Sequence, residues 1–224
     1  MKYDLHIHTT YSAHGAFKFD SIIEPKDAIR VAVKKGLDGI AITDHDTVKG
    51  VKICRSYASN KLEIISGCEI ASIQGHILAY GIDEWDGKKM DAQEAVDKIH
   101  ELGGIAVAAH PFKTGMLKKG LQEFTKKLDL DGIEVLSYHL NKKENAMAKK
   151  FAERMKLGMT AGTDAHISSD IGEVRTVSQG DLLEDIKNAR TKVEGIECPV
   201  IKTYLTLAQR ALLLTKSIFT KGLF

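Results

Sequence analysis

The chain has 224 residues, 43% of them hydrophobic and 28% charged, with a formal net charge of +2. That supports one sizeable core but not two full domains, and the near-neutral balance excludes a disordered chain and a globally basic nucleic-acid surface. Cys54, Cys68 and Cys198 form no Cys-x-x-Cys pair, which argues against a disulfide scaffold or a zinc finger and for a reducing compartment, the cytoplasm.

At the N-terminus, His6 and His8 interrupt the apolar positions at once, so no signal-peptide core is expected there. A membrane span is not expected either, since no run reaches about 18 apolar residues. From there the chain alternates short apolar runs with helical stretches. Strands are predicted at 3–8, 39–43, 62–70, 76–82, 105–110, 132–137 and 157–163. Pro25, then Ala28, Ile29, Ala32 and Val33, then Lys34-Lys35-Gly36 read as a helix with a proline start and a glycine stop. Residues 92–102, 141–155 and 180–189 are similar helices. The rhythm is that of an α/β fold with a parallel sheet, either a small distorted (β/α) barrel or an open doubly wound sheet. The first strand is followed by no Gly-x-Gly-x-x-Gly, which removes the main reason to prefer a dinucleotide-binding sheet.

Histidines and carboxylates collect at the strand ends. His6 and His8 close the first strand, Asp44 and His45 follow the second, and Glu69 ends the third. His110 ends the fifth, while Asp164 and His166 follow the seventh. Residues i and i+2 of a strand face one side, so each of the pairs His6/His8 and Asp164/His166 can face one cavity. A lone histidine in such a place is ordinarily just a hydrogen-bonded polar residue. Five strand ends bearing metal-ligating types, on the rim where α/β folds bind ligands, point instead to a metal centre. Imidazoles and carboxylates without thiolates suit Zn, Mn or Fe, and clustered divalent ions activate water for attack on a phosphoryl group. Cys68 abuts Glu69, but strand alternation turns it to the opposite face, into the core.

Together the segments Asp4-Leu5-His6-Ile7-His8-Thr9-Thr10-Tyr11-Ser12, Ile42-Thr43-Asp44-His45-Asp46, Gly67-Cys68-Glu69, Ala109-His110-Pro111 and Gly162-Thr163-Asp164-Ala165-His166 resemble the ordered motifs of the PHP (polymerase and histidinol phosphatase) family. The resemblance extends to about Val177. It implies a distorted (β/α)7 TIM-like barrel holding three divalent metal ions and hydrolysing phosphoesters through a metal-activated hydroxide. It implies one ion on His6, His8, Glu69 and Asp164, a second on Glu69, His76 and His110, and a third on His14, His45 and His166. Asp164, Glu69 and His166 are the expected catalytic residues. His76 stands out because it opens a strand where the others close theirs, and Asp44 is expected to orient an imidazole.

Lys113, Arg175 and His139 are the expected contacts for a small phosphorylated substrate, a nucleotide or short oligonucleotide among the options, and Lys49 is a further cation beside a ligand-bearing strand. His100 reads as a helix-surface residue. Two alternatives remain open at this point, an amidohydrolase-like metal hydrolase and a non-catalytic metal-binding module. The expected catalytic barrel spans 1–198. Residues 199–224 form a basic amphipathic tail carrying +4, leaving −2 on the remainder, and are expected to close the barrel or form a homodimer contact.

Overall fold

The computed structural model describes residues 1–12, 20–58, 60, 62–114 and 120–199. Most of the tail set apart at 199, namely 200–224, and His14 lie outside the described residues. Among the described residues, nine strands form one nearly closed, barrel-like sheet: β1 (Lys2–Ile7), β2 (Gly39–Ile42), β3 (Glu63–Ala71), β4 (His76–Tyr80), β5 (Ile105–Ala108), β6 (Gly132–Ser137), β7 (Gly158–Gly162), β8 (Val174–Val177) and β9 (Lys192–Gly195). Among the described residues the α-helices are α1 (Pro25–Lys34), α2 (Lys49–Tyr57), α3 (Ala92–Glu101), α4 (Lys142–Met155) and α5 (Leu182–Lys187).

Two apolar layers hold the barrel together, and strand alternation sorts residues between them. In β4, Ile77 and Ala79 join a cluster shared with α1 to α4, whereas Leu78 and Tyr80 join an inner cluster with Tyr3, Leu5 and Val107. Helix α5 lodges Leu182 and Ile186 in that inner cluster and so plugs one end of the barrel. The helix starts are written locally. Pro25 lies in the first turn of α1, and α3 and α4 begin with reciprocal capping boxes, Asp91 with Glu94 and Asn141 with Glu144.

The sheet is mixed where a parallel one is expected. β4 is antiparallel to both neighbours, and against β3 this follows because only residues 72–75 join the two and a parallel crossover needs a dozen or more. Strands β8 and β9, not expected from periodicity, add an antiparallel pair beside β1. Lys49 opens α2, a further unexpected element, rather than lying in a loop. The barrel closes between β1 and the end of β7: His8 N donates to Ala165 O at 3.0 Å and Ala165 N to His6 O at 3.3 Å. Below that contact, the buried Asp4 carboxylate takes hydrogen bonds from Thr163 N and Oγ1 and from Gly172 N. Among the described residues no helix is long and apolar enough to cross a membrane.

Candidate metal centre

Local irregularities of the strands aim the ligand-type side chains. In β1, Asp4 is level with Ile40 but Ile7 with Ile42, a one-residue bulge. Tyr3 and Leu5 point into the barrel before it, and beyond it Ile7 joins the outer layer. The bulge thus turns His6 and His8 inward, with their Nε2 atoms 3.2 Å apart. His110 and Asp164 adopt left-handed backbone, at φ 30° and 52°. Such strain costs roughly 1–3 kcal/mol per residue and clusters at functional sites. His76 opens its strand, but because β4 runs against β3 and β5 its first residue reaches the rim where theirs end.

Three groups of donor atoms converge, each within 4.8 Å: His6, His8, Glu69 and Asp164; His8, Asp20 and His166; His45, Glu69 and His76. Glu69 and His8 each belong to two groups, which makes the three contiguous. His110 joins through Nε2, 2.9 Å from Glu69 Oε1, and His76 Nδ1 lies 2.7 Å from the same oxygen. His45, of the third group, also reaches toward the second, its ring 3.3 Å from Glu69 Oε2 and 3.4 Å from Asp20 Oδ2. The first group coincides with the first set implied by the motifs. Asp20, which is not among the expected ligands, meets His166 Nε2 at 2.8 Å. Asp20 is not singled out by sequence reasoning, since it sits on no strand or helix and its only signal is being an acid soon after His-x-His.

These residues fit divalent ions. Two imidazole Nε2 atoms facing each other at 3.2 Å, both within 3.6 Å of Asp164 Oδ1, need protons or cations between them. His110 Nδ1 is buried with no hydrogen-bond partner among the described residues. No thiol enters the set. Cys68 is buried in the outer layer, and burial pushes its thiol well above the ordinary range.

Charge is unevenly shared. Burial opposes charging of His6, yet Glu134, Glu69 and Asp164 outweigh it and hold that imidazole well above its ordinary pKa. Burial opposes charging of His8 too, but hydrogen bonds to Asp164 and Glu69 overcome it and raise this pKa to about 9. His110 falls to about 3 through burial and Lys113, and His166 to about 4 through burial and His8. Against their own burial, Glu69 and Asp164 are held well below the carboxylate range, Glu69 chiefly by His45 and His76 and Asp164 chiefly by Lys113 and His6.

Of the expected substrate contacts, Lys113 lies at the centre, its Nζ 3.3 Å from Asp164 Oδ2 and its side chain 22% exposed. His139 instead pairs with buried Asp170 at 2.9 Å. Arg175 lies within β8, not in a loop, and donates to Gly172 O, which draws it toward its own strand. Asp44 accepts from Thr9 N and Thr9 Oγ1, so it orients the backbone after His8 rather than an imidazole. His100 is more than a surface residue, since its Nε2 lies 2.9 Å from Asp131 Oδ2.

Residues 142–191 match the family model described as PHP-associated. An uncharacterized protein of Methanocaldococcus jannaschii is 41% identical over 145 residues, covering 62% of this chain and 84% of the relative. A 5'-3' exoribonuclease of Haemophilus influenzae is 22% identical, covering 74% of this chain and 90% of that enzyme. A structure from Bifidobacterium adolescentis, provisionally named a metal-dependent phosphoesterase, superposes with a TM-score of 0.66 at 18% identity, over 89% of this chain and 98% of that one. Motifs, family model and barrel agree: the chain belongs to the PHP family.

Proposed function

We propose that the chain hydrolyses phosphomonoesters or small nucleotide phosphodiesters at a centre of three divalent ions, zinc, manganese or iron. The Glu69 carboxylate carries this reading: its Oε2 faces His6, His8 and His45 and its Oε1 faces His76 and His110, and a carboxylate shared between donor groups is what close-set cations require. His6, His8, Glu69 and Asp164 would hold one ion, and Glu69, His76 and His110 a second. His45 and His166 would hold the third, with Asp20 from the fold and His14 from the motif. Bound there, divalent ions lower the pKa of water to about 7 and neutralise charge gathering on phosphoryl oxygens.

The chain's own groups divide the remaining work. His110 and His166 are neutral imidazoles at pH 7, with lone pairs ready to ligate. Lys113 brings an ammonium to the edge of Asp164, where it can meet a phosphate oxygen without leaving its carboxylate partner. Buried Asp44 and Asp4 hold the backbone on either side of the His-x-His segment, keeping both imidazoles aimed without ligating. The catalytic unit is assigned to 1–198, and 199–224 to a closing or dimer-forming role. Only residues 81–104, α3 among them, separate β4 from β5, so no large insert at that point grips the substrate, and selectivity among small esters should be broad.

The test is a panel of p-nitrophenyl phosphate, bis-p-nitrophenyl phosphate, histidinol phosphate and a short single-stranded oligonucleotide, assayed with Mn²⁺ or Zn²⁺. Hydrolysis abolished by a chelator and restored by metal is expected. No turnover of any member by metal-loaded protein, with cleavage of amides instead, would overturn the assignment in favour of the amidohydrolase-like reading.

A further inference from the structure

Directly beneath the donor groups lies a carboxylate that none of them includes. Glu134, on β6, is 1% exposed, and its two neighbours Ile133 and Val135 both face the outer layer. Its side chain therefore points into the barrel. A one-residue irregularity follows it, with Glu134 level with Thr160 but Leu136 with Ala161. Burying a carboxylate there is expensive unless both oxygens find donors. Both do, and both donors belong to ligand-bearing segments. Oε1 is 3.0 Å from His6 Nδ1, and Oε2 accepts from the His110 backbone N–H at 2.8 Å. Among the described residues, Glu134 has no ion-pair partner other than His6.

Each contact fixes something that strand geometry leaves free. A proton on His6 Nδ1, donated to Glu134, leaves Nε2 as the lone-pair nitrogen, and Nε2 is the atom that faces His8, Glu69 and Asp164. The contact to His110 N–H falls where φ is 30°, a conformation that needs its surroundings to hold it. Room for the arrangement comes from Gly162. A Cβ there would lie 2.3 Å from His6 Cβ and 2.8 Å from Glu134 Oε1, so any side chain would push the pair apart.

The geometry points to Glu134 as a positioning residue that selects the ligating nitrogen of His6 and locks the backbone of His110, tying β1 and β5 into one centre. This rests on the metal-site reading above. Glu134→Gln keeps the volume but can accept only one of the two hydrogen bonds, its amide nitrogen being a donor. Zinc affinity should fall about 10- to 100-fold in competition with a chromophoric chelator, as is usual when a partner of a ligating histidine is lost. In long-range ¹H–¹⁵N spectra of the zinc-loaded protein, the Nδ1-protonated pattern assigned to His6 should be present in the parent and lost or mixed in the variant. Circular dichroism of both metal-stripped proteins controls for folding. Should the amide variant not fold, Glu134→Asp, which retains the charge but draws it back by one methylene, is measured the same way. Parent protein that takes up no zinc overturns the metal-site reading itself. Zinc binding by the parent, with an unchanged affinity and His6 pattern in the variant, overturns the role of Glu134 alone.

Discussion

Asp164 combines three properties that seldom coincide: left-handed backbone, near-complete burial and an ion pair with a lysine. Its truncation to alanine removes an anion from the rim without opening the core. We expect Asp164→Ala to lower kcat/KM at least 100-fold, about 2.7 kcal/mol of transition-state stabilisation, with circular dichroism unchanged. A rate within tenfold of the parent would mean that the centre lies elsewhere. His6 and His8 make a second prediction. Their carboxylate neighbours raise both pKa values, His8 to about 9, so the metal-free rings bind protons more tightly than a free imidazole does. A ligating imidazole must be neutral, so ion uptake should release protons and weaken as pH falls. Calorimetry in buffers of differing ionisation enthalpy should show net proton release near neutrality. A heat independent of buffer would contradict it.

At the scale of elements, α5 shows how a short helix is held where its own length cannot sustain it. The Asp185 carboxylate accepts from Ser178 Oγ at 2.6 Å, Gly180 N at 3.0 Å and Arg190 Nε at 2.8 Å, pinning the helix whose Leu182 and Ile186 fill the barrel end. The hydroxyl of Ser178 and the Arg190 guanidinium hold its carboxyl well below the usual carboxylate range. A folded-state pKa below the unfolded one means stability that is present above the unfolded value and lost as pH falls through that range toward the folded one. Asp185→Asn should therefore be less stable at pH 7 and show a flatter decline in Tm between pH 5 and pH 3 than the parent. Parallel Tm profiles would remove Asp185 from the account. The β3–β4 hairpin is legible by a different route. Its four-residue link, 72–75, already forbids a parallel crossover, so the antiparallel β4 and the rim position of His76 follow from loop length once that length is weighed alongside hydrophobic pattern.

For the molecule as a whole, four buried carboxylates, Asp20, Glu69, Glu134 and Asp164, crowd one end of the barrel, beside the inner apolar cluster. Charge of that density at the heart of the fold is compensated by imidazolium protons, Lys113 or bound cations, and cations do it without the desolvation of further side chains. Removing metal with a chelator should accordingly lower the Tm. At free metal of 100 times the dissociation constant, the linkage is about 2.7 kcal/mol, and a chain of this size shifts roughly 2–4 °C per kcal/mol, giving ~5–11 °C. Equal melting with and without metal, in protein shown to bind it, would mean that the site is stabilised by protons alone.

The amino-acid sequence by itself determined where most of the histidines and carboxylates of the donor groups fall relative to the strand ends. The i, i+2 spacing of His6 and His8 puts both on one side of the chain, because side chains along a strand alternate, and the bulge in β1 turns that side inward. Capping residues and prolines did the same for helix starts, as at Asn141 and Pro25. Tertiary structure alone decided who shares whom. Asp20 meets His166, 146 positions away, from a segment with no periodicity to betray it. Glu134 looks like one more inward residue of a buried strand until its oxygens are seen on His6 and His110, 128 and 24 positions distant. Such contacts depend on the closure of β1 against the end of β7, a long-range pairing whose partners no local pattern specifies.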